Sequence, residues 1–242
     1  NAPVLVLIHG FPTASWDWHK VWEPLCQHFR VLAFDMIGFG LSTKPTQYDY
    51  SIKDQANLLE SLLKHKGVTH YHILAHDYGV TVAQELLARA IETSSVSAAH
   101  IINSTILLNG GLFPEAHKPV FIQKLLISPL GGLISKCVTY AKFKQNFDHI
   151  CAQALPEKEL KAFWELIMLE NGKAIMPKLI RYMKERKINR TRWVEGLQHA
   201  QSPIKVINGV EDPISGAHML VRYRELIPNP NIQELPKVGH YP

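Results

Sequence analysis

Short apolar runs alternate with amphipathic segments through the first 110 residues of the chain. Val4–Ile8 is a continuous aliphatic run, which is typical of a parallel strand covered on both faces. After Ser51 the apolar positions instead recur every three or four residues as far as Gly67, and this spacing predicts a helix capped by Ser51. Because strand and helix keep alternating, we expect the α/β class, with a mostly parallel sheet and helices on both faces.

A different pattern occupies residues 112–200, where helical patterns such as 158–170 and 174–187 follow one another without an intervening strand. We therefore expect an α/β core formed by residues 1–111 and 201–242. The helical insertion, 112–200, is expected to form a cap over the active-site edge of the sheet. The predicted strands are 4–8, 31–34, 71–74, 101–108, 203–207 and 231–235, and the predicted core helices are 18–29, 51–66, 81–89 and 217–226.

The composition fits one large α/β domain, since 242 residues with 46% hydrophobic content can bury a sizeable core. No apolar run approaches the ~18 residues that cross a bilayer. Three cysteines without metal-binding or redox spacing indicate reduced thiols, which favours a cytoplasmic location.

The net charge of +5 arises from the predicted cap, residues 112–200. A solvated helix face is the ordinary explanation of such a cluster, and attraction to an anionic substrate or a membrane surface is the alternative. No nucleic-acid-binding motif accompanies the charge. Gly38 and Gly40 lack the third glycine and the following helix of a dinucleotide loop. We expect neither nucleic acid nor a cofactor as a partner.

Asp77 lies between the predicted strand 71–74 and the predicted helix that follows it. Ala75 and Gly79 flank Asp77 two positions away on either side. This is the spacing of a nucleophile elbow, a sharp turn that needs small neighbours and exposes one side chain above the sheet. A helix N-cap is the alternative role for Asp77.

A carboxylate at this turn performs different chemistry from the serine that an esterase would have there. With a reference pKa of about 3.9, aspartate is already an anion at neutral pH. It can attack an electrophilic sp3 carbon that carries a leaving group, such as the carbon of an epoxide or an alkyl halide. The predicted intermediate is an alkyl ester of Asp77, which water must then hydrolyse.

Asp77, Asp212 and His240 each follow a predicted strand, in the order nucleophile, acid, base. In the predicted mechanism Asp212 accepts the Nδ1 hydrogen of His240, and His240 takes a proton from the attacking water. Glu211 is the alternative acid, although Asp212 is favoured because it precedes Pro213 at the turn. The oxyanion formed by water attack needs backbone donors, and the amides of Phe11 and Tyr78 are the candidates.

Several motifs are spread along the chain. They are His9-Gly10-Phe11-Pro12 with Trp16 and Trp18, Asp35-x-x-Gly38-x-Gly40-x-Ser42, His76-Asp77-Tyr78-Gly79, Gly209-x-x-Asp212-Pro213 and Gly239-His240. Together they resemble the epoxide hydrolase and haloalkane dehalogenase branch of the α/β hydrolase superfamily, which shares this order of nucleophile, acid and base. The resemblance runs from end to end of the chain. Residues 109–115 and 192–194 further resemble the mesoderm-specific transcript protein group within that branch.

The resemblance implies a small, apolar electrophile as substrate, either an epoxide or an alkyl halide. Epoxide hydrolases use two cap tyrosines to bind the epoxide oxygen, and Tyr182 and Tyr140 are the two in this cap. Tyr182 precedes Arg192-Trp193, where such a tyrosine is expected, whereas Tyr140 matches less well and ordinary packing is its alternative role. Haloalkane dehalogenases hold the halide with Trp after the nucleophile and Asn after the His-Gly pair. This chain has Tyr78 and Phe11 at those positions, so Trp164 and Trp193 would have to substitute. Epoxide opening is therefore favoured over dehalogenation.

Two rival functions come from other classes. His70, His72, His76 and His100 have a spacing that would let them meet at a metal, but no carboxylate or thiolate accompanies them in a ligand motif, so we expect no metal. Some α/β hydrolase folds serve as ligand receptors or scaffolds without catalysis. Turnover of an epoxide or a halide distinguishes an enzyme from such a binding protein.

Overall fold

A computed structural model describes residues 2–93 and 100–242 of the chain. Its centre is a six-stranded sheet in which every paired neighbour is parallel. The strands lie in the order β2-β1-β3-β4-β5-β6 across the sheet. The predicted fold class is confirmed. The strand bounds are β1 Val4–Ile8, β2 Arg30–Ala33, β3 His70–His76, β4 Ile101–Leu108, β5 Ile204–Gly209 and β6 Ile232–Leu235.

The order of the strands reverses between β1 and β3. The chain moves outward from β1 to β2, then crosses back to place β3 on the other side of β1. Ligands of open parallel sheets bind at the carboxyl ends of the strands beside such a reversal. Since Ile8 pairs with Ala75, the segments that follow β1 and β3 leave the sheet side by side. These two segments contain His9-Gly10-Phe11 and Asp77.

The described residues form eleven α-helices and two 3-10 helices. The longest, α3, is buried along its first eleven residues and packs against both α2 and α10. The α-helices are α1 Trp22–Cys26, α2 Ile52–His65, α3 Tyr78–Thr93, α4 Phe121–Leu126, α5 Gly131–Lys136, α6 Tyr140–Ile150, α7 Glu157–Met168, α8 Met176–Leu179, α9 Tyr182–Ile188, α10 Arg190–Gln198 and α11 Ala217–Leu226, and the 3-10 helices are Ser15–Trp18 and Leu169–Ile175.

The segment between β4 and β5 contains helices and no strand, and all of its residues are described. It holds α4 to α10, as the sequence pattern predicted for residues 112–200. The division into a 1–111 and 201–242 core and a cap stays a prediction. Within the segment, apolar side chains of α6 and α7 form a cluster of their own, and Tyr241 packs against it. That cluster contains Phe143, Phe147, Leu160, Phe163 and Ile167.

Two predicted helices are shorter than expected. A helix over 18–29 would place Pro24 in its interior, where proline removes a backbone hydrogen bond. The structure instead has the 3-10 helix Ser15–Trp18 followed by α1, with Pro24 in the first turn of α1. The predicted helix 174–187 is divided into α8 and α9 by the turn at 180–181, where the amide of Arg181 bonds to Lys178 instead of continuing the α-helical pattern.

No helix among the described residues is both long and apolar enough to cross a membrane. All three cysteines are free thiols.

Gly79 allows α3 to begin directly beside the end of β1. A Cβ atom at position 79 would overlap the carbonyl oxygen of Ile8, which is rigid backbone. The helix that carries Asp77 at its start therefore approaches the sheet more closely than a larger residue would permit.

We expect Gly79→Ala to lower the free energy of unfolding by about 1–3 kcal/mol, the usual cost of overpacking. Gly132→Ala is the matched control, because a Cβ atom at Gly132 in α5 meets nothing within 4 Å. Alanine there gains helix propensity and should leave stability unchanged or raise it by up to about 1 kcal/mol. Urea denaturation of both variants measures the difference, and equal effects would contradict the proposed close approach.

Candidate active site

Asp77 sits at a strained turn between β3 and α3. Its φ angle is +46°, a left-handed conformation that is uncommon for a residue other than glycine. The side chain is buried, and its Oδ1 atom accepts a hydrogen bond of 2.9 Å from the amide of Phe11. The turn therefore presents a carboxylate to the segment that follows β1.

The structure brings Asp77, Asp212 and His240 together. His240 Nδ1 lies 2.8 Å from Asp212 Oδ2, and His240 Nε2 lies 3.6 Å from Asp77 Oδ2. All three side chains are buried. The imidazole therefore has one carboxylate on each side, and its Nδ1 hydrogen is donated to Asp212.

Asp212 accepts several further hydrogen bonds, which fix its carboxylate. Asn109 Nδ2 and the Ser215 hydroxyl donate to Oδ2 at 2.9 and 2.7 Å. The amides of Ile214 and Ser215 donate to Oδ1 and Oδ2, at 2.8 and 3.1 Å. Sequence reasoning missed Asn109 and Ser215 as supports of the site. The available signal was that Asn109 directly follows β4, at the same sheet edge as Asp77.

The charges at the site shift all three pKa values. Burial alone would lower the pKa of His240, but the negative charges of Asp212 and Asp77 outweigh it and raise that pKa to about 10. Burial opposes ionisation of both carboxyls, yet hydrogen bonding and the charge of His240 hold the pKa of Asp77 and of Asp212 well below their usual range. At neutral pH the imidazole is thus a cation between two carboxylates.

His76 supports the backbone of His240. Its Nε2 hydrogen is donated to the carbonyl oxygen of His240 at 2.8 Å, and its ring packs against the rings of His240 and Tyr241. On the other side His76 Nδ1 lies 3.9 Å from Asp17. The position of His76 next to Asp77 in the sequence did not indicate that His76 would support His240.

A cavity of about 70 Å³ opens at Asp77 and His240. Most of its other lining residues are apolar, and they come from the helical segment as well as from the core. This environment suits a small apolar group. The lining includes Phe11, Pro12, Val120, Ile122, Leu126, Val138, Phe143, Phe147, Ile150, Met176 and Ile214.

The two residues expected to form an oxyanion hole lie on either side of Asp77. The Phe11 amide already bonds to the carboxylate. Tyr78 begins α3, where the first backbone amides have no partner within the helix. Its fully buried ring packs against Phe39 and Tyr182, with centroid distances of 5.3 and 4.8 Å.

None of the four cap residues expected to contact substrate lines the cavity, and Tyr182 is the cap tyrosine on which the charge of Asp77 acts. Its buried ring lies 6.4 Å from the ring of Phe11, which lines the cavity. Burial raises the pKa of Tyr182 and the negative charge of Asp77 raises it further, so the hydroxyl keeps its proton.

Tyr140, Trp164 and Trp193 do not line the cavity, although the rings of Tyr140 and Trp164 pack on Phe143, which does. Tyr140 donates its hydroxyl hydrogen to Glu157 at 2.7 Å, and its ring packs on Trp164. The buried indole of Trp193 donates to Glu85 at 2.8 Å. Each of these side chains stabilises contacts among helices, which the spacing of apolar residues alone did not reveal.

The histidines considered as metal ligands have other partners. His70 and His72 bond to Thr69 and Ser104, and His100 bonds to the carbonyl oxygen of Val68. Within residues 2–93 and 100–242, no group of three or more His, Cys, Asp or Glu side chains is arranged to hold a metal ion.

Residues 3–242 match the profile of a family described as alpha/beta hydrolase fold. The chain belongs to the α/β hydrolase family. It is 40% identical over 250 residues to mesoderm-specific transcript protein of Mus musculus, and the match covers 99% of this chain and 73% of that protein. The resemblance predicted from the motifs is thereby confirmed.

Solved structures show the same α/β hydrolase fold. A haloalkane dehalogenase loop variant, DbeA-M1 from Bradyrhizobium elkanii, has a TM-score of 0.78 and 19% identity, with 100% of this chain and 84% of that chain covered. The epoxide hydrolase CorEH has a TM-score of 0.77 and 16% identity, with 100% and 86% covered.

We expect Trp193→Phe to lower the free energy of unfolding by about 1.5–3 kcal/mol, because it removes a buried hydrogen bond to the charged Glu85. Trp164→Phe is the control, since the Trp164 side chain packs at a partly exposed position. Urea denaturation should show the larger loss for Trp193→Phe. A loss of stability no greater than that of the control would contradict a structural role for this indole.

The raised pKa of His240 predicts how stability depends on pH. Its stabilising contribution is fully present below the unfolded value of 6.5 and is lost as the pH rises through about 10. The difference in unfolding free energy between the native protein and His240→Gln should therefore shrink from pH 6 to pH 10. Denaturation at a series of pH values measures it, and a constant difference would contradict the charge assignment.

Proposed function

We propose that this protein is a hydrolase in which Asp77 is the nucleophile, His240 the base and Asp212 the acid that orients His240. The observation that supports this most directly is the Asp77 carboxylate itself. It stands at an elbow turn, accepts the Phe11 amide at 2.9 Å and lies 3.6 Å from His240 Nε2. No proton has to be removed before this carboxylate attacks.

In the first step a carboxylate oxygen of Asp77 forms a bond to an sp3 carbon of the substrate. The bond from that carbon to its leaving group breaks, and the electron pair leaves with an epoxide oxygen or a halide. The product is an alkyl ester of Asp77. Tyr182, whose hydroxyl stays protonated beside the site, is the donor that we assign to the leaving oxygen.

In the second step water hydrolyses the ester. Esterification removes the charge of Asp77, one of the two charges that raise the pKa of His240, so the imidazole can release its proton. That proton restores the Tyr182 hydroxyl after an epoxide has opened, and it goes to solvent after a halide has left. Neutral His240 then accepts a proton from water, whose oxygen attacks the carboxyl carbon of Asp77. The amides of Phe11 and Tyr78 stabilise the oxyanion. The bond from the carboxyl carbon to the alkoxy oxygen then breaks, and the alcohol takes the proton from His240. The Asp77 carboxyl group still holds the second proton of the water and passes it to His240, which restores the carboxylate and the imidazolium.

An epoxide is the favoured substrate, and an alkyl halide is the second candidate. The position of Tyr182 supports epoxide opening, because a tyrosine hydroxyl can donate to an oxygen leaving group. An alkyl halide is the weaker candidate, because Tyr78 and Phe11 occupy the positions where haloalkane dehalogenases have Trp and Asn. Trp164 and Trp193, which would have to replace those donors, do not line the cavity. The apolar lining of the cavity suits a small apolar electrophile of either kind.

The test is to trap the covalent intermediate. His240→Gln should form the Asp77 ester with a reactive epoxide but hydrolyse it slowly, because the variant lacks the base. Mass spectrometry of the intact protein and of its peptides should then show the substrate mass on Asp77. A panel of epoxides and alkyl halides identifies the substrate class.

Asp77→Ala in the same background is the matched control and should give no adduct. A single turnover of the native enzyme in ¹⁸O-water should place the label in the Asp77 carboxyl group, since water attacks that carbon. An adduct on another residue, or label in the product alone, would disprove the role of Asp77. No adduct from any class of electrophile would favour a non-catalytic ligand-binding protein.

A further inference from the structure

The guanidinium group of Arg186 is buried without an ionic partner. Arg186 belongs to α9 and is 1% exposed. Its Nε hydrogen is donated to the hydroxyl of Thr81 at 2.8 Å. In the part of the chain that the structure describes, Nη1 and Nη2 have no hydrogen-bond partner. The charge of Arg186 helps to lower the pKa of the Asp77 carboxyl, but the two side chains form no ion pair among the described residues. A buried, unpaired cation is strongly unfavourable, so its retention calls for an explanation.

The packing around Arg186 fixes the position of its charge. On one side the guanidinium lies against Gly111, where a Cβ atom would overlap Nη1. On the other side Cζ lies 4.4 Å from the ring centroid of Tyr182, one helical turn away on α9. The cation thus lies between Gly111, in the segment after β4, and the ring of Tyr182.

Other buried polar atoms near Arg186 also have no partner among residues 2–93 and 100–242. They are the hydroxyl oxygen of Tyr182 and Nε2 of His117. Burial first and the positive charge of Arg186 second lower the pKa of His117 to about 3, so His117 is neutral at pH 7. The Tyr182 ring lies 4.8 Å from the ring of Tyr78, the residue after Asp77, and Arg186 bonds to Thr81 near the start of α3, so both groups lie close to the Asp77 turn.

We propose that the guanidinium group of Arg186 forms a binding site for a carboxylate group of the substrate, beside Asp77. The inference rests on the proposed function and specifies its substrate as an electrophile with an acidic group and a small apolar body. Nη1 and Nη2 of Arg186 offer hydrogen-bond donors that have no acceptor among the described residues, while the Tyr182 hydroxyl stays available for the leaving oxygen. The planar fork of Nη1 and Nη2 matches the two oxygens of a carboxylate, and a single positive charge balances a single negative one.

Binding of propionate tests the site without any turnover. Propionate should raise the melting temperature of the native protein, whereas its neutral isostere propionamide and chloride should not. Arg186→Met should weaken propionate binding by about 10- to 100-fold, the range for hydrogen bonds to a charged group. The control is Arg181→Met, which removes an exposed arginine from the same segment and should leave binding unchanged.

A second measurement connects the site to the reaction. In the His240→Gln background, the rate of adduct formation by glycidate relative to glycidamide should fall at least tenfold when Arg186 becomes Met. If Arg186→Met does not fold, Arg186→Lys keeps the charge but loses the fork and should weaken propionate binding in the same direction.

Three results would overturn the proposal. Propionate could bind Arg186→Met as tightly as the native protein, chloride could bind as well as propionate, or the folded native protein could bind no carboxylate at all. The last result would mean that water satisfies these donors. None of the three depends on hydrolysis, so each is distinguishable from failure to trap an ester on Asp77.

Discussion

The left-handed turn at Asp77 is the constraint on which the rest of the site depends. Such a backbone conformation costs a residue with a side chain free energy of order 1–3 kcal/mol and persists only where its surroundings enforce it. Here the surroundings are β3 before the turn, α3 after it and the close approach allowed by Gly79. The Phe11 amide, which follows the neighbouring strand β1, then meets the carboxylate directly. The order of the strands and the local turn together bring the Phe11 amide into contact with the Asp77 carboxylate.

Electrostatic balance makes this buried arrangement tolerable. Two carboxylates and one imidazolium are removed from water, and such burial is stable only when each charge is paired and hydrogen-bonded. His240 serves both carboxylates, and Asp212 receives donors from the loop that follows β5 and from Asn109. The buried Glu85 shows the same principle elsewhere, since it joins α3 to α10 through Trp193 and Arg192. Arg186 differs from both cases, because its guanidinium has no comparable partner in the described residues.

Local patterns predicted the sheet, most helices and the positions of Asp77, Asp212 and His240 at strand ends. These predictions succeeded because each pattern, whether an apolar run, a helical spacing or small residues around a turn, involves residues only a few positions apart in the sequence. Asn109 and His76 could not be predicted in the same way, since their partners lie more than 100 residues away in sequence. The directions of Tyr140, Trp164 and Trp193 also escaped prediction, because an aromatic on an amphipathic helix has the same spacing whether it faces substrate or another helix.

Asn109 also joins the carboxyl ends of β4 and β5, the strands before and after the helical segment. Its side chain bonds to the amide and the carbonyl of Gly209 at the end of β5, and its own amide bonds to Asn208. Because the carboxyl ends of these adjacent strands are held together, the length and sequence of the intervening helices can diverge during evolution without displacing Asp212, which in turn holds His240. Substrate preference can therefore change among descendants of one scaffold while the reaction chemistry is inherited intact.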